Sequence, residues 1–293
     1  MGLDINAVRF LIAAKKAGVE FGRVLTLGRQ DLNVYPAKLR QVLDANLLPS
    51  TAFQPGAPDT LFAEPIFEAV GATQIASLDA SDFEGATVVH DLNQPITSRW
   101  KEQFDVVYDG GTLEHVFNFP VALRNCMEML APGGRLFIHT GVNNWCGHGF
   151  YQFSPELFFR ALSPENGFEM EQMVLHMVGP YGRWYEVTDP ERIRSRVELI
   201  TFVPVQILLR ARRTKAVTPF EKAPQQSDYT PRWRSDQAGP DQPPAVVYGA
   251  TRSKLSRLLP GVARLLNVLE NGLRVYYRMS LRNRRCFRPV PKA

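Results

Sequence analysis

The chain has 293 residues, 45% of them apolar, which suits one α/β domain with additions or two small domains. No run of about 20 apolar residues is present, so no spanning helix is expected, and Met1 to Asn6 lacks the basic start of a signal peptide. The net charge of +5 hides an asymmetry: residues 250–293 hold 11 Lys or Arg and one acid, Glu270, leaving 23 basic and 28 acidic residues elsewhere, so the basic character belongs to the tail alone. Cys126, Cys146 and Cys286 make no metal spacing and no even disulfide set, as expected of reduced thiols in a cytosolic protein.

In chain order, Asp4 to Lys16 predicts an amphipathic helix, and Arg23 to Leu27 a first strand ending at Gly28. Pro36 to Asn46 reads as a helix, Pro49 to Pro58 as a loop and Ala63 to Val70 as another helix. Gln74 to Leu78 and Ala86 to His90 read as strands ending at Asp79 and Asp91. Phe104 to Tyr108 is a β-branched and aromatic run broken by Asp109-Gly110-Gly111. A helix over Pro120 to Leu130 follows, stopped by Ala131-Pro132-Gly133-Gly134, and Arg135 to His139 restarts a strand. Two strands joined by such a helix imply a right-handed parallel crossover. Ligands of open α/β sheets sit beyond the carboxyl ends of the strands, which makes Asp109 a candidate site residue.

Pro155 to Leu162 predicts a helix with Ser154 as its cap. Phe168 to Val178 and Glu198 to Arg210 predict an antiparallel pair at one edge of the sheet. Residues 215–250, with Pro219, Pro224, Pro231, Pro240, Pro243 and Pro244, read as a linker between a domain of residues 1–214 and a tail of residues 251–293. The tail is helical in pattern from Arg252 to Arg285, with Leu258, Leu259, Val262, Leu265, Leu266, Leu269 and Leu273 on one side and arginines between them. A basic amphipathic helix of this kind can lie on an anionic membrane surface or pack on protein. No motif for nucleic acid accompanies the charge.

The segments Phe104-Asp105-Val106-Val107, Leu113-Glu114-His115-Val116, Met129-Leu130-Ala131-Pro132-Gly133-Gly134 and Arg135-Leu136-Phe137-Ile138 resemble, in order and spacing, the fourth strand to fifth strand of class I S-adenosylmethionine-dependent methyltransferases. The resemblance runs over about residues 24–210 and is strong from Leu78 to Phe137. It implies a Rossmann-like, doubly wound, seven-stranded, mostly parallel sheet with an antiparallel edge pair, here followed by a helical tail. It implies S-adenosylmethionine as cofactor, with Gly28 letting backbone approach it, Asp79 on the ribose, Asp91 and Leu92 at the adenine and Asp109 toward the charged amino-acid end. One departure stands out. Where the family carries G-x-G-x-G after the first strand, this chain reads Gly28-Arg29-Gln30-Asp31-Leu32, so Gln30 and Leu32 are expected to crowd the cofactor's methionine end. The 51 positions from Gly28 to Asp79 also predict an insertion around Leu43 to Pro65.

Thr140 to Ser154 places polar groups, glycines and aromatics in one loop at the functional edge of the sheet. His148 and Tyr151 are its candidates for acid–base work, with His115 able to converge on them; His115 as a brace for the following helix and Gly147-His148-Gly149 as a turn are the alternatives. Spacing of His90, His115 and His148 argues against a metal centre. The functional expectation is a cytoplasmic methyltransferase acting on oxygen or nitrogen of a small molecule, sugar or lipid-linked glycan, peripheral on the inner face of the membrane where the tail meets lipid. The alternative is a non-catalytic binding or scaffolding protein of the same fold.

Overall fold

The computed structural model describes residues 2–55, 62–82, 84–179, 182–227 and 260–291. Alternating apolar strands and amphipathic helices lay down the first half of the fold. In order these are β1 (Gly2–Leu3), α1 (Ile5–Lys16), β2 (Gly22–Leu27), β3 (Asp31–Leu32), α2 (Pro36–Ala45), α3 (Glu64–Ala69), β4 (Ala72–Asp79), β5 (Val88–Val89), β6 (Phe104–Asp109), α4 (Phe119–Met129) and β7 (Leu130–Asn143). Then come α5 (Pro155–Ala161), β8 (Phe168–Met177), β9 (Tyr185–Val187), α6 (Pro190–Ile193), β10 (Val205–Arg213), α7 (Pro260–Leu273) and β11 (Phe287–Pro289).

The main sheet runs β11-β9-β8-β10-β7-β6-β2-β4-β5. From β5 to β7 every pairing is parallel, and β10, β8, β9 and β11 continue antiparallel. This is the expected Rossmann-like sheet: β2, β4, β5, β6, β7, β8 and β10 are its seven strands, and the short β9 and β11 extend one edge. The chain moves outward from β2 through β4 to β5 on one side and through β6 to β7 on the other. The crevice above β2 and β6 is therefore the topological switch point, where open sheets of this kind bind ligands.

Two cores, one on each face, hold the sheet. Phe10, Phe21, Phe67 and Phe137 pack under α1, α2 and α3, and Leu123, Met127, Leu136, Phe158 and Leu209 pack under α4 and α5. Asp4 caps α1 through Oδ1, which accepts the Ala7 N–H at 2.8 Å.

Several boundaries differ from the sequence reading. β10 begins at Val205 rather than Glu198, because Pro204 has no N–H to give a ladder. It runs on to Arg213, whose guanidinium is buried against the Leu130 carbonyl and reaches Glu102. Ser154 occupies the residue before α5, but its side chain makes no capping bond. The Pro132-Gly133-Gly134 turn lies inside β7, which starts at Leu130. Of the tail, residues 251–259 and 292–293 lie outside the described residues; α7 is followed by a wide turn over Arg274–Arg278, and β11 then pairs with β9, with Phe287 fully buried. Of the linker, residues 228–250 lie outside the described residues, while Phe220 accepts packing from the core and its N–H donates to Asn166 Oδ1 at 2.9 Å.

Candidate functional site

Register lines up the carboxyl ends of the parallel strands. Leu27 pairs with Leu78 on one side and Asp109 on the other, and Asp79 pairs with Val89. Gly28 follows Leu27 with φ +68°, a conformation that favours glycine. A Cβ there would stand 3.7 Å from Asp79 Oδ2 and 3.5 Å from Thr112 Oγ1. Gly28 and Asp79 thus share one corner of the crevice. Asp79 is half-buried, with Oδ1 facing the Ser81 N–H at 3.4 Å.

Gln30 occupies the neighbouring corner. Its Nε2 donates to the Leu27 carbonyl at 2.5 Å, which folds the side chain back over the switch point. Its Oε1 is buried without a hydrogen-bond partner. Gln30 therefore covers part of the switch point. Leu32 instead lies in β3, which pairs in parallel with β1. The orphaned Oε1 is an acceptor in want of a donor, as a cofactor's ammonium group would supply.

Asp91 is exposed, and its Oδ1 accepts both the Asn93 N–H at 2.9 Å and Nδ2 at 2.8 Å. These bonds hold its carboxyl below the usual range. Leu92 turns its side chain into the core, so only its backbone can meet a ligand. Asp109 is fully buried. Its Oδ1 accepts the N–H groups of Thr112 at 2.8 Å and Leu113 at 3.3 Å, and Oδ2 has no partner. Burial, then the nearby Glu114 carboxyl, pushes its pKa up to about 8. The structure gives Asp109 to the turn after β6 rather than to the wall of the crevice.

The loop after β7 brings His148 and His115 together, their rings 5.0 Å apart and edge to face. Beneath them lies Glu114, 1% exposed, with Oε1 3.8 Å from His148 Nε2. Burial raises the Glu114 pKa; its own N–H and the Thr140 hydroxyl oppose the rise, although the hydroxyl is not in hydrogen-bonding geometry. Burial and then His148 lower the pKa of His115. The loop is pinned from below, since the Phe150 N–H donates to the Glu114 carbonyl at 2.8 Å and a Cβ at Gly149 would stand 2.7 Å from that oxygen. Tyr151 does not join the histidines: its hydroxyl donates to the Phe117 carbonyl at 2.6 Å and its ring stacks on Phe153. One ligand atom from each of Glu114, His115 and His148 lies within 4.8 Å of the others.

Sequence reasoning passed over Glu114, whose place beside His115 in Leu-Glu-His-Val was the available signal. A cavity of about 170 Å³ opens on the α3 side of β2 and β4, lined by Thr26, Gln30, Phe67, Ser77 and Thr87. It is smaller than the roughly 300 Å³ of a small-molecule site, and neither Asp79 nor Asp91 lines it.

Residues 73–138, which include Asp79, Asp91, Asp109, Glu114 and His115, match the family model described as a methyltransferase domain. No curated protein matches the sequence. Among solved structures, the chain is similar to 1,6-didemethyltoxoflavin-N1-methyltransferase of Burkholderia thailandensis, bound to 1,6-didemethyltoxoflavin and S-adenosylhomocysteine, with 15% identity and a TM-score of 0.40 over 72% of this chain and 80% of that one. The N-methyltransferase NodS of Bradyrhizobium japonicum WM9, in complex with S-adenosylhomocysteine, shares 14% identity at a TM-score of 0.40 over 72% of this chain and 87% of that one. The branched-chain polyamine synthase of Thermus thermophilus, in complex with N4-aminopropylspermidine and 5'-methylthioadenosine, shares 13% identity at a TM-score of 0.37 over 75% of this chain and 60% of that one.

Proposed function

We propose that this chain, a protein with a methyltransferase domain on a class I fold, transfers the methyl group of S-adenosylmethionine to an oxygen or nitrogen of a small molecule, a sugar or a lipid-linked glycan. The observation that carries this reading is the corner shared by Gly28 and Asp79 at the switch point, beside the orphaned acceptor of Gln30. Asp79 would hold the ribose hydroxyls, Asp91 and the Leu92 backbone the adenine, and Gly28 with Gln30 the amino-acid end. The bound cofactor supplies an electrophilic methyl group.

The chain's own residues hold the acceptor and take its proton. His148 turns Nε2 toward Glu114, which would leave Nδ1 for the acceptor's O–H or N–H. The buried Glu114 carboxyl is placed to stabilise the imidazolium that results, as a buried acid behind a histidine does in other proton transfers. His115 shapes the other side of the pair.

Calorimetric titration with S-adenosylmethionine and S-adenosylhomocysteine tests the reading. Micromolar binding, worth about 8 kcal/mol, that disappears in a folded Asp79→Ala variant supports it. No binding at millimolar ligand by folded protein sinks it. That outcome favours the non-catalytic scaffold, a reading that the Gln30 side chain folded over the switch point also supports.

The same reading places the protein in the cytoplasm, on the inner face of the membrane. Among the described residues no helix is long and apolar enough to cross a membrane. α7 and the turn after it expose Leu265, Val268, Leu269, Leu273 and Tyr277, with Arg264, Arg274 and Arg278 among them. Apolar side chains flanked by arginines suit an anionic lipid surface. Co-sedimentation with vesicles containing phosphatidylserine, and its loss with purely zwitterionic vesicles, is the expected result; equal binding to both removes the electrostatic part of the proposal.

A further inference from the structure

On the α1 face of the sheet, away from the histidines just described, three more ionisable groups converge. Asp4 stands at the start of α1, His139 in β7 and His176 in β8. β10 separates the two histidine strands, with Leu208 opposite His139 and Gln206 opposite His176. One ligand atom from each of the three residues lies within 4.8 Å of the others.

Their surroundings are unusual for polar side chains. His139 is 3% exposed and His176 fully buried, yet neither ring nitrogen of His139, nor Nε2 of His176, has a partner in hydrogen-bonding geometry among the described residues, although the Gln206 side chain lies beside His139. A buried polar atom left unpaired is costly, and three together call for an occupant. His176 Nδ1 lies 3.1 Å from the Met177 carbonyl. That contact makes Nδ1 the protonated nitrogen and leaves the Nε2 lone pair free. A backbone carbonyl behind an imidazole is the usual outer support of a metal-bound histidine.

The carboxylate is supported in the same way. Asp4 Oδ1 accepts the Ala7 N–H at 2.8 Å, and Oδ2 accepts Asn6 Nδ2 at 3.1 Å. Asn6 is itself fully buried, donates to the Gly179 carbonyl at 3.1 Å and accepts the Trp184 indole N–H at 3.2 Å. Each carboxylate oxygen keeps a second lone pair. Bonds of about 2.1 Å to one ion would set the three donor atoms roughly 3.5 Å apart, inside the 4.8 Å limit within which they lie.

We propose that Asp4, His139 and His176 form a binding site for a divalent first-row transition-metal ion, with zinc as the probe to use first. Two imidazoles and one carboxylate suit zinc and its neighbours and not magnesium or calcium, which prefer oxygen alone. The ion would clamp the start of α1 to β7 and β8. The site stands independently of the methyl-transfer reading.

The test uses the full chain, stripped with a chelator, dialysed and titrated with zinc and separately with cobalt(II). The expected result is one equivalent of zinc bound below micromolar Kd, a rise in the Tm of the unmodified protein with zinc concentration, and visible cobalt absorption of a low-coordinate site. His176→Ala is expected to weaken zinc binding at least 100-fold and His148→Ala to leave it unchanged, with circular dichroism confirming both folds. Absence of any zinc-dependent Tm shift in the folded, stripped protein overturns the proposal without recourse to a variant. So does binding that survives His176→Ala and disappears in His148→Ala, which would assign the ion to Glu114, His115 and His148.

Discussion

Gln30 lies across Gly110, with Oε1 1.8 Å from the point that a Cβ at position 110 would occupy. The absence of a side chain at 110 is what lets Gln30 close over the switch point. Gly110→Ala must displace the Gln30 amide and also meets the Tyr108 ring, whose Cε1 lies 2.9 Å from the new atom. The expected cost is about 1–3 kcal/mol, as for other overpacked sites. In urea denaturation, Gln30→Gly added to Gly110→Ala should recover part of that loss. Strictly additive effects would show that the two residues do not depend on each other.

Asp109 gives stability a pH dependence of definite sign. Its folded pKa is pushed up to about 8, whereas an unfolded aspartate titrates near about 3.9. Between these values the folded chain holds a proton that the unfolded chain has released, so stability falls as pH rises from about 4 to about 8. Asp109→Asn keeps the Oδ1 acceptor for Thr112 and Leu113 and removes the titration. Its unfolding free energy should vary less with pH than the parent's and exceed it at pH 8. An unchanged slope would place the dependence elsewhere.

The histidine pair makes a prediction readable by NMR. The His115 pKa is lowered by burial first and then by the neighbouring His148 ring. Replacing His148 with Ala removes that neighbour and opens His115 to water, so the His115 pKa should rise. No change in the titration of His115 would mean that the rings do not sense each other.

The end of the tail belongs energetically to the sheet. Phe287 is fully buried, and the Thr188 N–H donates to the Cys286 carbonyl at 2.9 Å. Phe287→Ala should cost about 3–5 kcal/mol, in the range of buried aromatic truncations. Leu265→Ala, on the exposed side of α7, should stay within about 0.5 kcal/mol. Equal, small effects of the two changes would detach the tail from the domain.

The parallel half of the sheet was legible because its strands are short apolar runs ended by Gly28, Asp79, Asp91 and Asp109, with helices of regular period between them. β9 and β11 were not, because three residues carry no period. β11 also lies just beyond the Arg252 to Arg285 stretch that reads as helix. Within the site, the sequence placed Gly28 and Asp79 on one edge but could not tell an acid that faces a crevice from one that ties a turn, as Asp109 does. Spacing along the chain argued only against a metal centre of His90, His115 and His148. Asp4, His139 and His176 are brought together only when β10 inserts between two histidine-bearing strands.

β1 and β3 pair Gly2 with Asp31 and Leu3 with Leu32, and the Asn33 N–H closes the ladder on the Leu3 carbonyl at 2.9 Å. The segment following Gln30 is thereby fastened to the residues just ahead of Asp4. Two stretches about 30 positions apart must then open together, so their amides should exchange with solvent deuterium at one shared rate rather than as a free loop and a frayed end.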